Sequence, residues 1–232
     1  MITVEALAWP PVTEPDFLTA TRTAYDTSAV RYAEFIGEHF HANPINRVMI
    51  PFFAELVRAS GDGLVADVGC GPGHITAYLR SLGVTAFGID LSPEMIALAR
   101  GSHPELRFEV GLMGALDAED ASLAGVLANY SIIHTPPERL PETLAEFHRV
   151  LVPGGHLLLS FPGYDDPAEF AEAYDHKVFL AYRYSPDRVA ELLLKVGLAE
   201  VARLVGAPGE DPQRGFPQVY LLARRLTRNP QG

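Results

Sequence analysis

Cysteine is almost absent. Cys70 is the only one in 232 residues, so no disulfide can close within the chain and a cysteine-rich metal site is excluded. Positive charge is also scarce: 18 Lys and Arg stand against 29 Asp and Glu, for a formal net charge of −11. Phosphate backbones are bound by clustered cations, so nucleic acid is not expected as a partner. No stretch approaches the roughly 18 consecutive apolar residues of a membrane helix, and the opening MITVEALAWPPVTEPDF has no basic region followed by an apolar one. The expectation is a cytoplasmic protein with no membrane partner. Repeats and low-complexity tracts are missing too. His39, His41, His74, His134 and His176 do not stand at metal-ligand spacing with other ligand residues, and no metal is expected. The sequence carries no signal for an oligomeric state.

What is present is apolar material, 48% of the residues, enough for the core of one domain spanning residues 1–232. Residues 1–16, with Pro10, Pro11 and Pro15, read as a loose arm. Residues 17–60 read as an N-terminal helical cap. Tyr25, Ala29, Tyr32, Ala33 and Ile36 recur at intervals of three and four between Thr19 and about Gly37, and a second helix runs from Ile45 to Ala59. Residues 61–161 then alternate strand-like runs (LVADV, TAFGID, LRFEV, GVLANY, HLLLSF) with helical ones. That alternation predicts the α/β class: a doubly wound, mainly parallel sheet with helices on both faces. Ser92 and Pro93 read as N-cap and first helical residue, and Gly83 and Gly101 as C-caps. Residues 162–232 read as a substrate cover rich in tyrosine and carboxylates, a helix from Pro186 to Val196, and a terminal antiparallel hairpin of AEVARLV and QVYLLARR at the sheet edge. Arg224, Arg225 and Arg228 read as a solvated tail.

The run VADVGCGPG begins as a buried strand and ends in Gly69, Gly71 and Gly73 ahead of a helix. Such glycines let backbone turn sharply and approach a ligand. A dinucleotide fingerprint G-x-G-x-x-G counted from Gly69 would need glycine at 74, where the chain has His74. Asp67 places a carboxylate at the strand tip, where a pyrophosphate is repelled and a cation welcomed. Asp90 ends the second strand, where an acid accepts hydrogen bonds from ribose hydroxyls. The pattern points to a nucleoside without phosphates.

VADVGCGPG, GIDLSPEMIALAR and RVLVPGGHLLLSF resemble successive motifs of class I S-adenosylmethionine-dependent methyltransferases, across about Tyr25 to Phe161. AYDTSAVRYAEFI is similar to the N-terminal helix of small-molecule members of the quinone-biosynthesis type, and ANYSIIHTPPERLPETLAEFHRVL to actinobacterial members. The resemblance implies S-adenosylmethionine as cofactor. It implies further that Asp67, Gly69, Gly71 and Gly73 surround the methionine moiety, that Asp90 binds the ribose, and that Leu91 and Met95 flank the adenine. Leu112 stands where the family usually has a polar residue for the adenine amino group, so the backbone of Met113 is expected to serve. Asn129 and Ser131 should lie near the cofactor. Tyr25 and Tyr32, seven residues apart on one helix face, are candidates for its carboxylate.

Methyl transfer to oxygen, nitrogen or carbon of a small organic acceptor is thus the leading expectation. A nucleotide-dependent oxidoreductase and a catalytically silent cofactor-binding regulator are the alternatives. His134, emerging after the fourth strand in YSIIHTPP, is the candidate general base or acceptor-orienting group, with His176 in the cover as its alternative.

Overall fold

The computed structural model describes residues 14–61, 63–166, 169–207 and 215–227, with 14–16 and 37–42 described by backbone alone. In chain order the elements are α1 (Glu14–Ala42), α2 (Asn46–Ala59), β1 (Val65–Val68), α3 (His74–Ser81), β2 (Ala86–Asp90), α4 (Pro93–Ser102), β3 (Phe108–Val110) and β4 (Leu123–Asn129). A short 3-10 turn (Ile132–His134) leads to α5 (Leu140–Val150), β5 (Leu151–Pro162), β6 (Ala171–Asp175), β7 (Leu180–Tyr184), α6 (Pro186–Lys195), β8 (Leu198–Gly206) and β9 (Gln218–Arg225).

Seven strands form one sheet in the order β3-β2-β1-β4-β5-β9-β8, and β6 and β7 pair separately. The first five strands of the sheet are parallel, and the expected closing hairpin adds β9 and β8 antiparallel. Period-two alternation explains why both faces are covered. Val65, Leu127, Leu158 and Tyr220 pack with Phe53 of α2 and Leu79 of α3. Their neighbours Ala66, Val126, Leu157 and Leu221 pack with Leu144 and Phe147 of α5 and with Val189 and Leu193 of α6. The chain reverses direction across the sheet between β1 and β4, and the carboxyl ends at such a switch point are where open α/β sheets bind ligands.

Ser92 caps α4 as expected, its hydroxyl oxygen accepting from the Met95 amide at 3.1 Å with Pro93 next in line. Gly101 does not end that helix: it lies in the last turn, and His103 is the C-cap. The loose arm is shorter than expected, because residues 14–16 belong to α1; Pro15 fits a first turn, where its missing N–H is one the helix leaves unbonded anyway. Residues 1–13 lie outside the described residues, as do the side chains of His39 and His41 and all of Arg228. Arg225 is no solvated tail, since its guanidinium donates to the Leu151 carbonyl. The cover after Phe161 contains a regular element the sequence reading did not foresee, the β6–β7 hairpin. No helix among the described residues is long and apolar enough to cross a membrane, and no cluster among them of three or more His, Cys, Asp or Glu could hold a metal.

Candidate active site

The loop after β1 turns through Gly69 at φ +73° and Gly71 at φ +51°, a region closed to most side chains. Gly69 has a packing reason as well: a Cβ there would fall 2.2 Å from the Cβ of Ser131. At Gly71 a Cβ would meet nothing within 4 Å, because this residue faces a cavity. Asp90 holds the loop in place. Its Oδ2 accepts from the Gly71 amide at 2.8 Å and its Oδ1 from the Ser92 amide at 2.9 Å. Burial raises the Asp90 carboxyl above the usual carboxylate range, and the amide donors of Ser92 and Gly71 pull the other way.

Asp67 and Gly73 stand elsewhere than expected. Neither is on the cavity wall. Asp67, alternating with Ala66 and Val68 along β1, is buried beneath α3, where its Oδ2 accepts from the Thr76 hydroxyl at 2.6 Å. Its Oδ1 has no hydrogen-bond partner. Burial is the main cause that pushes this carboxyl up to about 7. Gly73 is a close-packing residue: a Cβ on it would fall 2.7 Å from Cζ of Phe108.

The cavity measures about 760 Å³, within the roughly 300–1,000 Å³ of small-molecule sites. It opens over the carboxyl ends of β1, β2 and β4. Asp90, Leu91 and Met95 line one side, Gly111 to Met113 an end, and Asn129 to Ser131 the opposite side. Asn129 is oriented from behind, its Oδ1 accepting from the Ser160 hydroxyl at 2.6 Å. The expected cofactor residues other than Asp67 and Gly73 therefore share one cavity. No Lys or Arg from β1 through β4 reaches its wall.

Helix α1 closes the cavity from outside. Asp26 binds at the N-terminus of α4, where its Oδ1 accepts from the Ser92 hydroxyl at 2.5 Å and from the Glu94 amide at 3.4 Å; a carboxylate is favoured at that end of a helix. One residue earlier, Tyr25 meets His134 at 2.7 Å. The Leu180 carbonyl on β7 lies 2.7 Å from His134 Nδ1 and can only accept, so Nδ1 carries the proton and Nε2 accepts from the Tyr25 hydroxyl. Tyr32 stands edge-on to Tyr25 with ring centres 5.4 Å apart. The protons of Tyr25 and His134 thus both point toward Leu180. Burial holds both phenols protonated, Tyr32 up to about 12, and drives His134 down to about 4.

The β6–β7 turn brings the His176 ring centre to 5.2 Å from that of His134, so the two candidate histidines are in edge-to-face contact on the cavity wall. Tyr174 and Phe216 continue the wall, with ring centres 5.3 Å apart. The sequence reading missed Asp26, Tyr174 and Phe216. Asp26 partners a residue 66 positions away, and no local spacing announces such a pair.

Residues 65–155 match the family described as "Methyltransferase domain". The chain is 32% identical over 133 residues to a malonyl-[acyl-carrier protein] O-methyltransferase of Pectobacterium atrosepticum, covering 53% of this chain and 52% of that protein. It is 36% identical over 146 residues to a trans-aconitate 2-methyltransferase of Rhizobium meliloti, covering 60% and 52%. The chain spans about half the length of these curated relatives. Among solved structures it resembles the 1,6-didemethyltoxoflavin N1-methyltransferase of Burkholderia thailandensis with S-adenosylhomocysteine, at TM-score 0.71 and 24% identity over 94% of this chain and 92% of that one. It also resembles magnesium protoporphyrin IX methyltransferase of Synechocystis with bound S-adenosylmethionine, at TM-score 0.67 and 19% identity over 90% and 97%. The fold is that of Rossmann-like methyltransferases. Residues 65–155 are the part of the chain that matches a methyltransferase domain.

Proposed function

We propose that this protein transfers the methyl group of S-adenosylmethionine to a small organic acceptor. The observation that carries the reading is Asp90: a half-buried carboxylate on the cavity wall, fixed by the Gly71 and Ser92 amides, with no cation from β1 through β4 to offset a phosphate. The third glycine of a dinucleotide fingerprint is replaced by His74, which lines the same cavity. A phosphate-free nucleoside with a cationic tail fits, and the open space at Gly71 lets it approach the backbone.

In this reading Asp90 accepts from the ribose hydroxyls, and Leu91 and Met95 flank the adenine. The backbone of Met113 meets the adenine edge. Gly69, Gly71, Asn129 and Ser131 surround the methionine end, while Asp67 and Gly73 shape the loop from behind it. When bound, the cofactor supplies a methyl carbon activated for in-line attack by an acceptor lone pair. The chain's own residues supply position. His134, kept neutral by burial, holds the Tyr25 hydroxyl in place through its Nε2 lone pair at neutral pH. His176 bounds the acceptor side. The small organic acid named for the trans-aconitate relative supports this substrate size, and the naming of both relatives as methyltransferases supports turnover over silent binding.

Calorimetry with S-adenosylhomocysteine and with NAD tests the cofactor, and transfer of a labelled methyl group to a panel of phenols, amines and carboxylic acids tests the reaction. S-adenosylhomocysteine should bind, and Asp90→Ala should weaken it by about 1–3 kcal/mol, the cost of unmet buried polar groups. Binding of NAD alone would overturn the reading.

A further inference from the structure

The cavity does not share the charge of the chain around it. The protein is strongly acidic, with 29 Asp and Glu against 18 Lys and Arg, yet Asp90 is the only acid among the described residues that line the cavity. It stands at the cofactor end, with Tyr25 and Tyr32 within its electrostatic reach. Two cations line the same cavity, Arg31 and Lys177. Neither has an acid partner among the described residues, whereas Arg139, Arg149, Arg183 and Arg203 are each ion-paired. Beyond Asp90 the wall is therefore net positive in a net negative protein, which draws an anion to this opening rather than to the surface around it.

Each cation is placed by the element that carries it. Thr21, Tyr25, Ser28, Tyr32 and Phe35 recur at intervals of three and four along α1 and line the cavity, and Arg31 stands exposed at the margin of that stripe. Lys177 follows His176 in the β6–β7 turn at φ +71°, a conformation few residues other than glycine adopt. Asp175 holds the turn there: its Oδ1 accepts from the Lys177 amide at 2.8 Å and so engages the backbone, leaving the ammonium free. A third donor comes from β9. The Ile45 amide donates to Asn43 Oδ1 at 2.9 Å, so Asn43 turns its Nδ2 to Gln218 at 3.0 Å, and the Gln218 atom that accepts is Oε1. Gln218 Nε2 is left on the cavity wall with no partner among the described residues. Donors from α1, the hairpin and β9 thus line one cavity, and a carboxylate, which only accepts, is their natural complement.

We propose that the methyl acceptor is a small organic acid taken as its anion, with Arg31 and Lys177 receiving a carboxylate at the cavity mouth and the Gln218 amide donating to the bound molecule. The word acceptor rests on the methyl-transfer reading above, but the anion site stands on its own residues. Tyr174 and Phe216, with ring centres 5.3 Å apart, offer apolar surface for the body of the acid.

The test uses three probes of closely similar shape and different charge: 1-naphthaleneacetate, 1-naphthaleneacetamide and 2-(1-naphthyl)ethylamine. Each is titrated into the whole protein with S-adenosylhomocysteine at saturation and again without it, and affinity is read by calorimetry or by probe fluorescence. The acetate should bind about three- to tenfold more tightly than the amide, the range expected of one or two exposed charge pairs, and the amine most weakly. Raising salt from about 0.05 M to about 0.5 M should weaken the acetate and spare the amide, since exposed pairs are screened. Arg31→Gln and Lys177→Gln should each narrow the gap between acetate and amide, and together bring it within about twofold. Both side chains are exposed, so the variants should fold, and thermal unfolding checks that they do. Failure of the acetate to bind, equal binding of acetate and amide by the native protein, or an undiminished gap in the folded double variant each overturns the proposal. So does weakened S-adenosylhomocysteine binding in the double variant with the gap unchanged, which would give the two cations to the cofactor. If the native protein prefers the acetate but does not bind S-adenosylhomocysteine, the cofactor reading falls and the anion site stands.

Discussion

His134 and Asp67 show how one residue's neighbours change its task. An exposed histidine titrates near neutral pH; this one is buried between α1 and β7, and its two ring nitrogens are spoken for by Leu180 and Tyr25. It is a neutral acceptor that fixes the Tyr25 hydroxyl. His134→Ala should leave S-adenosylhomocysteine affinity within about threefold while the methyl-transfer rate falls by roughly 10²–10⁴, the usual range for lost acid–base help. A rate within a few-fold of the native one, with lowered thermal stability, would make the residue a brace. Asp67 has the opposite problem, a carboxyl buried with one oxygen unpartnered. Its folded value of about 7 lies above the ordinary 3.8. The stability it contributes is therefore fully present below about 4 and is lost as pH rises through about 7. His134 works the other way, since its depressed value makes the fold gain stability as pH rises from about 4 toward 6.5. Comparing native protein with Asp67→Asn cancels the His134 contribution. Between pH 5 and pH 8 the native protein should lose roughly 1–3 kcal/mol relative to the variant. Parallel curves from denaturant titrations would remove Asp67 from the account.

At the scale of single elements, the glycine loop was legible in the sequence because its cause is local. VADV folds as a buried strand, and three closely spaced glycines allow the turn into α3. What the spacing did not reveal is that the three glycines do different things. Gly69 makes room for Ser131, Gly73 for Phe108, and Gly71 faces the cavity. Gly71→Val should abolish S-adenosylhomocysteine binding while the protein stays folded, since the side chain meets open cavity rather than protein and its strain at φ +51° stays within one loop. Circular dichroism and calorimetry check both halves; native affinity would sink the loop assignment. The β6–β7 hairpin was not legible. Its segment AEAYDHKVFLAYRY lacks a short glycine or asparagine turn, and its faces are only partly buried, so the alternation that marks a core strand is weak.

The whole molecule joins α1 and the β6–β7 hairpin into one cover over the carboxyl ends of the sheet. Asp26 docks α1 on α4, Tyr25 docks it on His134, and His134 in turn holds the backbone of β7. The corner between α1 and α2 is pinned to β9, where the buried Tyr220 hydroxyl donates to Asn46 at 2.7 Å and Asn43 donates to Gln218 at 3.0 Å. A cover held by a few polar contacts at one end and anchored at the other is a candidate for ordering by ligand. Amide exchange in residues 17–36 and 171–184 should slow when S-adenosylhomocysteine is added, with little change in β4 and β5. Equal exchange in both states would leave α1 and the hairpin as static walls.

The sequence by itself determined the alternation of strands and helices, the buried character of β1, β4 and β5, the glycine loop and the acid at the end of β2. Each is a local pattern, written within one element or one turn by periodicity and by the backbone freedom of glycine. Only the tertiary structure decided that Asp67 lies behind the cavity wall and Asp90 on it. It alone brought His134, His176 and Tyr25 together, and it alone set the direction of the protons among them. Those facts depend on contacts between residues as far apart as Tyr25 and His134, 109 positions along the chain. Such contacts arise only when the sheet order β3-β2-β1-β4-β5 and the long helix α1 have placed separate segments over the same strand ends.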